Sequence, residues 1–393
     1  MNTHDDIPLY SLPSEPTRAD FDQIFTDLHS KVSDIFMQSD SPITVRYQGR
    51  IVKASKHDIS LKTMRGLIDE MVTPTQAAEI DAGKPQSWSH NIQIGGQEGL
   101  GENTSRLRYR CNSKSVQTLR NMEARAIVMR PIPKLPKKLS SLNLPTGLPE
   151  ALFPESGIVL FSGPTGSGKT TTLASTLREL CYHKDGKIIV TVEEPVEYNL
   201  HALPDMTGFA THCEVGRNVT SFSDAMRAAL RENPDVIMTG EMRDEPSMLM
   251  AIEASQTGHA VYSTLHTNSV TSVFVRVSNK VPPERANSVV ATFIEASRTF
   301  VYQRLFPSLK GGVVAVVEWV SLSVTDRIRL LKALSDGGIS EVTRTMNDIM
   351  DESGLWYKDS AKQAFENGHL APEAYDSIVR THELETQLEQ GNG

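Results

Sequence analysis

The chain has 393 residues, of which 22% are charged, and a net charge of −8. The length predicts two or three domains. The acidic balance argues against a broad nucleic-acid-binding surface, because neutralising phosphates requires clustered Lys and Arg. The cysteines, Cys111, Cys181 and Cys213, form no C-x-x-C pair. This pattern excludes a cysteine-built zinc site and suits a reducing compartment.

The sequence shows neither a membrane-spanning run nor a signal peptide. Its longest apolar stretch near the end, residues 313–317, is far too short to cross a bilayer, and the N-terminus carries Asp5 and Asp6. We therefore expect a cytoplasmic protein without a transmembrane segment, peripheral to a membrane only through a partner. We expect no direct contact with nucleic acid.

The first third of the chain predicts a small α/β domain. Residues 1–20 are proline-rich and polar, which is typical of a flexible arm. The domain itself spans residues 21–130, and its first helix has an apolar face. A second helix is predicted over Leu61–Met71. Strands are predicted around residues 35–37, 43–47, 106–111 and 126–129, with a turn at 48–49 and a loop at 95–101.

Three arginines alternate with less polar residues in one of these strands. Arg106, Arg108 and Arg110 face the same way if the segment is extended. One interpretation is a solvated strand face, which periodicity alone favours. The other is an arginine finger, a planar guanidinium offered to a neighbour's transferring phosphate.

Residues 131–147 carry four prolines and three lysines, which predicts a semi-rigid linker. The basic cluster could contact an acidic partner, but a solvated linker is the simpler interpretation. Beyond it, residues 148–380 alternate between strand and helix patterns, which is typical of a parallel sheet with helices on both faces. Strands are predicted at 158–161, 188–192, 236–238 and 260–265, and helices at about 171–182, 223–231 and 246–257. After about residue 285 the pattern is mostly helical apart from a strand at 313–320, and residues 381–393 form a polar tail.

A phosphate-binding loop follows the first of these strands. It matches G-x-x-x-x-G-K-[ST] without a mismatch, and glycines there let successive backbone N–H groups point at a phosphate chain. Lys169 can reach the β- and γ-phosphates, and the Thr170 hydroxyl can hold Mg²⁺. The helix that follows adds the positive end of its dipole. The predicted nucleotide-binding residues here are Gly163, Pro164, Thr165, Gly166, Ser167, Gly168, Lys169, Thr170 and Thr171.

Acidic residues follow two other strands. Glu193, Glu194 and Glu197 come after strand 188–192, and Glu241 comes after strand 236–238. Ligands bind at the carboxyl ends of parallel strands, so Glu241 is predicted to bind Mg²⁺ directly or through water. Any member of the first cluster could act on the attacking water. The alternative is a solvated loop edge with scattered acids.

Histidines flank the strand at 260–265. His266 lies at its carboxyl end and could sense the γ-phosphate, although a lone histidine is as often structural. His259 lies at the other end and is the weaker candidate.

Four segments, taken in order, resemble the motifs of one family. Residues 163–170, 191–197, 233–244 and 257–267 are similar to the Walker A motif, Asp box, Walker B motif and His box of the PilT/GspE superfamily of secretion and pilus-retraction ATPases. The resemblance runs from about residue 25 to about residue 375. It implies a PAS-like N-terminal domain, a RecA-like P-loop ATPase domain with a parallel sheet and a helical C-terminal region, ATP and Mg²⁺ as cofactors, and a homo-hexamer. The implied partner is an inner-membrane secretion or pilus platform protein.

The resemblance also implies roles for individual residues. Glu197 matches the catalytic glutamate of the Asp box, Glu241 matches the Walker B glutamate, and Lys169 lies in the Walker A motif. The resemblance implies a catalytic role for all three. His259 and His266 match the His-box pair. The N-terminal-domain arginines that reach nucleotide in this family, partly across the subunit interface, correspond to Arg108, Arg110 and Arg130.

Some positions depart from the family pattern. Glu194 stands where the Asp box has aspartate, and Cys213 stands where retraction motors commonly have arginine. The tetracysteine module of assembly motors is absent, and residues 323–330 do not match the A-I-R-N-L-I-R-E segment of retraction motors. These departures favour the DotB-like ATPases of type IVB secretion, including TraJ-like ATPases of conjugative plasmid transfer.

We therefore expect a hexameric Mg²⁺-dependent ATPase that powers a type IV secretion, conjugative transfer or type IV pilus machine. A pilus retraction motor is the first alternative. A GTPase or small-molecule kinase is disfavoured because residues 279–282 lack the aspartate of an N-K-x-D guanine reader. A nucleotide-gated, non-catalytic docking subunit is disfavoured by the full set of acidic residues.

Overall fold

The computed structural model describes residues 7–47, 49–94, 105–132 and 135–391. The chain divides into two compact units. Unit 1 comprises Met1–Lys134 together with Pro195–Tyr198, and unit 2 comprises Leu135–Glu194 and Asn199–Gly393. The predicted loop at 95–101 and residue 48 of the predicted turn lie outside the described residues.

Unit 1 is built around one antiparallel sheet with helices packed against it. The sheet has six strands in the order β3-β2-β1-β6-β5-β4. Its strands are β1 (Asp34–Gln38), β2 (Thr44–Tyr47), β3 (Arg50–Lys53), β4 (Gln86–Ile94), β5 (Ser105–Val116) and β6 (Ala124–Ile132). Its helices are α1 (Arg18–Leu28), α2 (Leu61–Met71) and α3 (Pro74–Asp81).

The sequence patterns that predicted helices α1 and α2 of unit 1 are confirmed. Helix α1 buries its predicted apolar face, Phe21, Ile24, Phe25 and Leu28. Helix α2 begins where the Ser60 hydroxyl accepts the Thr63 N–H and has the predicted bounds. Strands β3 and β4 and helix α3 were not predicted, because β3 and β4 are short of strongly apolar residues and Pro74 looked like a stop rather than a first helical turn.

The predicted flexible arm at residues 1–20 is wrong for the part that the structure describes. Ile7 is buried in the core of unit 1. Tyr10 pairs its backbone with Ala54 and Lys56, and α1 already begins at Arg18. The buried side chain of Ile7 and the backbone hydrogen bonds of Tyr10 therefore hold this proline-rich segment against unit 1.

Unit 2 is a seven-stranded sheet between two helical layers. Strand order is β13-β12-β7-β11-β10-β8-β9, parallel from β12 to β9, with β13 antiparallel at one edge. Its strands are β7 (Gly157–Ser162), β8 (Ile188–Glu193), β9 (Phe209–Glu214), β10 (Val236–Thr239), β11 (Ala260–Leu265), β12 (Ser297–Pro307) and β13 (Val313–Ser321). Its helices are α4 (Leu148–Ala151), α5 (Lys169–Cys181), α6 (Phe222–Ala229), α7 (Glu245–Gln256), α8 (Val273–Ser278), α9 (Pro283–Ala296), α10 (Val324–Ser353), α11 (Tyr357–Glu366) and α12 (Pro372–Gly391).

Strand β7 shows how the layers form. Ile158 and Leu160 join one buried cluster, which also contains α7, while Val159 and Phe161 join a second, which contains α5. A strand that is buried on both faces needs a continuous apolar run, as in central parallel strands. The predicted fold class is confirmed. It is a RecA-like ATPase domain with a parallel sheet and a helical C-terminal region, preceded along the chain by a smaller α/β domain.

Several predicted details of unit 2 are wrong. Strands β9 and β12 were missed because polar residues interrupt them, although β12 lies between two partners in the sheet. The described part of the predicted linker, from residue 135, packs on α5, where Arg178 donates to the Pro136 carbonyl at 2.8 Å. The prediction of a polar tail at 381–393 concerned composition and is not contradicted, and helix α12 continues through most of it to Gly391. Among the described residues, no helix combines the length and the apolar character that crossing a bilayer requires.

A buried arginine joins the sheet of unit 1 to its helices. Arg125 on β6 is 3% exposed. Its guanidinium donates two bonds to the Asp81 carboxylate and one, at 2.5 Å, to Asp69. These bonds hold the pKa of Asp81 below its usual value.

We expect Arg125→Met to destabilise unit 1 by about 1–3 kcal/mol near neutral pH, since the half-exposed aspartates lose a buried partner. A lowered carboxyl pKa gives stability that is present above the unfolded-state pKa and is lost as pH falls through the folded-state pKa. The difference from wild type should therefore shrink below about pH 4. Urea unfolding at both pH values measures it, with the exposed Arg50→Met as control. A difference that grows on acidification would contradict this assignment.

Candidate nucleotide-binding site

The loop between β7 and α5 is shaped by glycines. Gly163, Gly166 and Gly168 all have positive φ angles. A Cβ on Gly163 would lie 2.3 Å from the backbone oxygen of Gln303 and 2.9 Å from the Ser167 hydroxyl, so no side chain fits there. At Gly163 the loop backbone therefore lies directly against the neighbouring strand β12, and glycines of this kind let N–H groups approach a phosphate.

The contacts of Lys169 and Ser167 indicate whether this loop has groups suited to bind a phosphate chain. Lys169 is buried, and its ammonium donates to the carbonyls of Gly163 and Pro164 at 2.8 and 2.9 Å. The Ser167 hydroxyl oxygen is buried without a hydrogen-bond partner among the described residues. A cation, an unsatisfied buried hydroxyl and the N-terminus of a 13-residue helix meet in one loop, and this chemistry fits a nucleoside triphosphate.

Gln303 supports the loop from β12 and was missed by the sequence analysis. Its amide nitrogen donates to the Ser167 carbonyl and its amide oxygen accepts the Thr172 hydroxyl, both at 2.8 Å. The side chain is 1% exposed. The signal available was a glutamine inside an otherwise apolar segment, because a buried amide needs specific partners.

His266 connects the loop to Glu241. Its Nδ1 lies 3.0 Å from the Gly163 carbonyl, which can only accept, so Nδ1 carries a proton. Its Nε2 lies 3.9 Å from Glu241 Oε1. Because β7, β11 and β10 are parallel neighbours, their carboxyl ends bring Gly163, His266 and Glu241 to one edge of the sheet.

Arg243 lies between two acidic side chains at this edge. Its Nε donates to Glu241 Oε2 at 2.9 Å and its Nη1 donates to Glu194 Oε2 at 2.7 Å. Burial opposes the charge of Arg243, but these two carboxylates raise its pKa. Glu194 therefore has a partner at this edge.

Glu193 has a different environment although it is the next residue in the chain. It is 5% exposed, with Oε1 3.8 Å from Nδ1 of His212. His212 accepts the Leu200 N–H at Nε2, which leaves the Nδ1 proton for the Thr191 hydroxyl or for Glu193. Glu193 is thus part of a polar network under β8 and β9.

Glu197 lies in unit 1, within the segment Pro195–Tyr198. Arg110 Nη1 contacts Glu197 Oε1 at 2.8 Å, and Arg108 Nη2 donates to the Val196 carbonyl at 2.6 Å. Arg108 also donates to the Ser89 hydroxyl of β4. Two of the three alternating arginines of β5 therefore hold the segment that carries the predicted catalytic glutamate.

Arg130 lies on β6 directly opposite Arg110. It donates to the buried carboxylate of Asp34 at 2.8 and 3.0 Å, and Arg46 lies 3.4 Å from the other oxygen of that carboxylate. Arg106 is exposed on the same strand as Arg108. The prediction that these strand arginines alternate with inward-facing residues is confirmed by buried Tyr109 and Cys111.

His259 lies at the opposite end of β11 from this edge, and Cys213 lies outside the four motif segments. His259 precedes β11, with Nδ1 2.9 Å from the Ala254 carbonyl at the end of α7, which is a structural contact. Cys213 is half-buried on β9, and burial raises the pKa of its thiol. It supplies no positive charge in place of the family's arginine.

Glu318 on β13 contacts the loop that carries His266. Val270 N–H donates to Glu318 Oε1 at 2.7 Å, and burial raises the pKa of this carboxyl to about 7. The contact fixes the loop from β13.

No group of three or more His, Cys, Asp or Glu side chains suited to hold a metal occurs in the described part of the chain. The groups that fit Mg²⁺ are the Thr170 hydroxyl at the start of α5 and the Glu241 carboxylate. Mg²⁺ is usually held by one or two such protein groups together with substrate phosphates and water.

Comparisons with known proteins show the family of the chain. The family model described as type II/IV secretion system protein matches residues 14–316. The uncharacterized protein YggR of Escherichia coli K12 is 37% identical over 193 residues, 49% of this chain and 58% of that protein. The type IV pilus retraction ATPase PilT of Pseudomonas aeruginosa is 31% identical over 289 residues, 73% of this chain and 77% of PilT.

Among solved structures, the Legionella pneumophila ATPase DotB is similar over 95% of this chain and 99% of its own, with a TM-score of 0.80 and 30% identity. The resemblance carried by the four motifs is therefore confirmed. The chain belongs to the type II/IV secretion system protein family, the PilT/GspE-type secretion ATPases.

Proposed function

We propose that this chain is a Mg²⁺-dependent ATP hydrolase. The observation that carries the proposal is the meeting of the phosphate loop, His266 and Glu241 at the carboxyl ends of β7, β11 and β10, with His266 bonded to the Gly163 carbonyl and facing Glu241. ATP hydrolysis requires a cradle for the phosphates, an acidic group for the metal and a group that orients water. The position of the glycine loop and of Glu241 at one edge of the unit 2 sheet supports the proposal for the first two.

The proposed roles follow the chemistry of each group. Lys169 and the backbone of residues 163–171 bind the phosphates, Thr170 and Glu241 hold Mg²⁺, and His266 responds to the γ-phosphate. Mg²⁺ would neutralise charge that develops on the phosphate oxygens. We assign Glu197 to orientation of the attacking water.

We further propose that Arg108, Arg110 and Arg130 reach nucleotide, in the same or a neighbouring subunit. Their side chains leave one face of the unit 1 sheet, and Arg110 and Arg130 are register partners. In the described conformation each has a carboxylate or carbonyl partner, so reaching nucleotide would exchange those contacts for phosphate oxygens.

At the level of the machine, we propose a cytoplasmic homo-hexamer that acts on an inner-membrane platform protein and powers type IVB secretion or conjugative transfer. The similarity to DotB over nearly both whole chains supports this subtype. The similarity to PilT supports the alternative, a pilus retraction motor.

We expect Lys169→Ala to weaken ATP binding by roughly 10- to 100-fold, because a buried cation that bonds charged phosphates is lost. Fluorescence titration with a labelled ATP measures this affinity. Lys310→Ala, an exposed position between β12 and β13, is the matched control. Wild-type affinity in the Lys169 variant would remove the basis of the proposed site.

Glu197→Gln should leave ATP binding intact and lower phosphate release by roughly 100-fold or more, since the water loses its oriented base. Glu241→Gln should instead raise the Mg²⁺ concentration needed for binding. Phosphate release and Mg²⁺ titration separate the two roles, and Glu155→Gln, exposed before β7, is the control. Normal turnover of Glu197→Gln would refute its role, and absence of turnover in the wild-type hexamer with its partner would favour a docking subunit.

Deleting the gene should abolish conjugative or secretory transfer and leave pilus retraction unchanged. Complementation with wild-type protein should restore transfer, whereas complementation with Glu197→Gln should not. Loss of retraction with normal transfer would instead establish the retraction motor.

A further inference from the structure

Arg243 bonds the Glu241 carboxylate, which the proposed metal site needs, and also bonds the Glu194 carboxylate. It bonds Glu241 through Nε at 2.9 Å and Glu194 through Nη1 at 2.7 Å. The other oxygen of Glu241 faces Nε2 of His266 at 3.9 Å. Both oxygens of the proposed Mg²⁺ ligand therefore face a nitrogen of this chain.

The backbone under Arg243 is fixed on both sides. Gly240 N–H donates to the Val192 carbonyl at 2.8 Å, and Met242 N–H donates to the Thr264 carbonyl at 3.1 Å. Met242 is fully buried, and Asp244 caps α7 by accepting the Ser247 N–H. Any rearrangement at this edge is therefore confined to side chains.

The side chains themselves are able to move. Those of Arg243, Glu194 and Glu241 are 47%, 42% and 24% exposed. Lys280 donates to the Arg243 carbonyl, so this contact holds the main chain of Arg243 and does not involve its guanidinium. The ion pairs of Arg243 with Glu241 and Glu194 can therefore break without disturbing a packed core.

The charges set up a competition. A guanidinium donates to carboxylate oxygens through a rigid fork, and Mg²⁺ requires an oxygen ligand at short distance with little tolerance in geometry. Glu241 Oε2 is the oxygen that Arg243 bonds, so Mg²⁺ coordination that uses this oxygen breaks the charge-assisted bond to Arg243. Glu194 has one methylene more than the aspartate usual in this box, which lengthens its reach toward the second arm of the fork.

We propose that Arg243 is a metal-displaced latch: it bridges Glu241 and Glu194 before the metal nucleotide binds, and Mg²⁺ displaces it from Glu241. The inference rests on the proposed function, because it needs Mg²⁺ to bind at Glu241. Arg243 is a positioning residue in this scheme, and it sets how much Mg²⁺ the site requires.

The test measures how binding of a labelled ATP depends on Mg²⁺. Arg243→Ala should lower the half-saturating Mg²⁺ concentration by roughly 3- to 10-fold, the range expected for two partly exposed ion pairs. Arg227→Ala, which removes an equal charge from a surface pair with Asp224 on α6, should leave it unchanged. Thermal melting checks that each variant is folded.

Arg243→Lys separates the bridge from the charge alone. Lysine keeps the positive charge but has no fork to bond two carboxylates at once, so its half-saturating Mg²⁺ concentration should also fall, by less than in Arg243→Ala. A wild-type value in both folded variants, or a higher one in Arg243→Ala, would overturn the latch. If wild-type protein bound no nucleotide at any Mg²⁺ concentration, the proposed function would fail and the latch with it.

Discussion

The close approach of Gly163 to Gln303 is the constraint on which the proposed site depends. A backbone oxygen lies 2.3 Å from where a Cβ would be, and the Gln303 side chain then bonds both Ser167 and Thr172. Strand β12 therefore fixes the phosphate loop and the first turn of α5 together. Because the loop is fixed, the Gly163 carbonyl can bond His266, whose opposite nitrogen faces Glu241.

The order of residues in the Asp box does not decide which of its glutamates acts on the attacking water. Glu193 is buried beside His212, Glu194 pairs with Arg243, and Glu197 pairs with Arg110 in unit 1. All three were equal candidates for the water-activating group from the residues alone, because they follow one strand. Their partners come from β9, from the segment after β10 and from β5, and such long-range contacts are invisible to local periodicity.

Much of unit 2 could be predicted from the sequence for a physical reason. Central parallel strands need continuous apolar runs, and a phosphate loop needs glycines at fixed spacing, so β7, β10, β11 and the loop were evident. Strand β12 was missed because Gln303 and its polar neighbours break the run, yet Gln303 is the residue that bonds the phosphate loop. In unit 1, proline suggested a loose arm before α1, whereas Ile7 and Tyr10 anchor that segment.

Within each unit, carboxylates pair with the arginines that are proposed to take part in nucleotide binding. Arg110 rests on Glu197, Arg130 on Asp34, and Arg243 on Glu241 and Glu194. In the proposed function, a nucleoside triphosphate with its metal would bring both signs of charge, so phosphate oxygens would compete for the arginines while Mg²⁺ would compete for a carboxylate. Each such pair is worth little where it is half exposed, so exchanging partners costs little free energy. In unit 2, the exposed ion pairs of Arg243 lie at the same sheet edge as the glycine loop, so a change of charge partners there can leave the loop backbone in place.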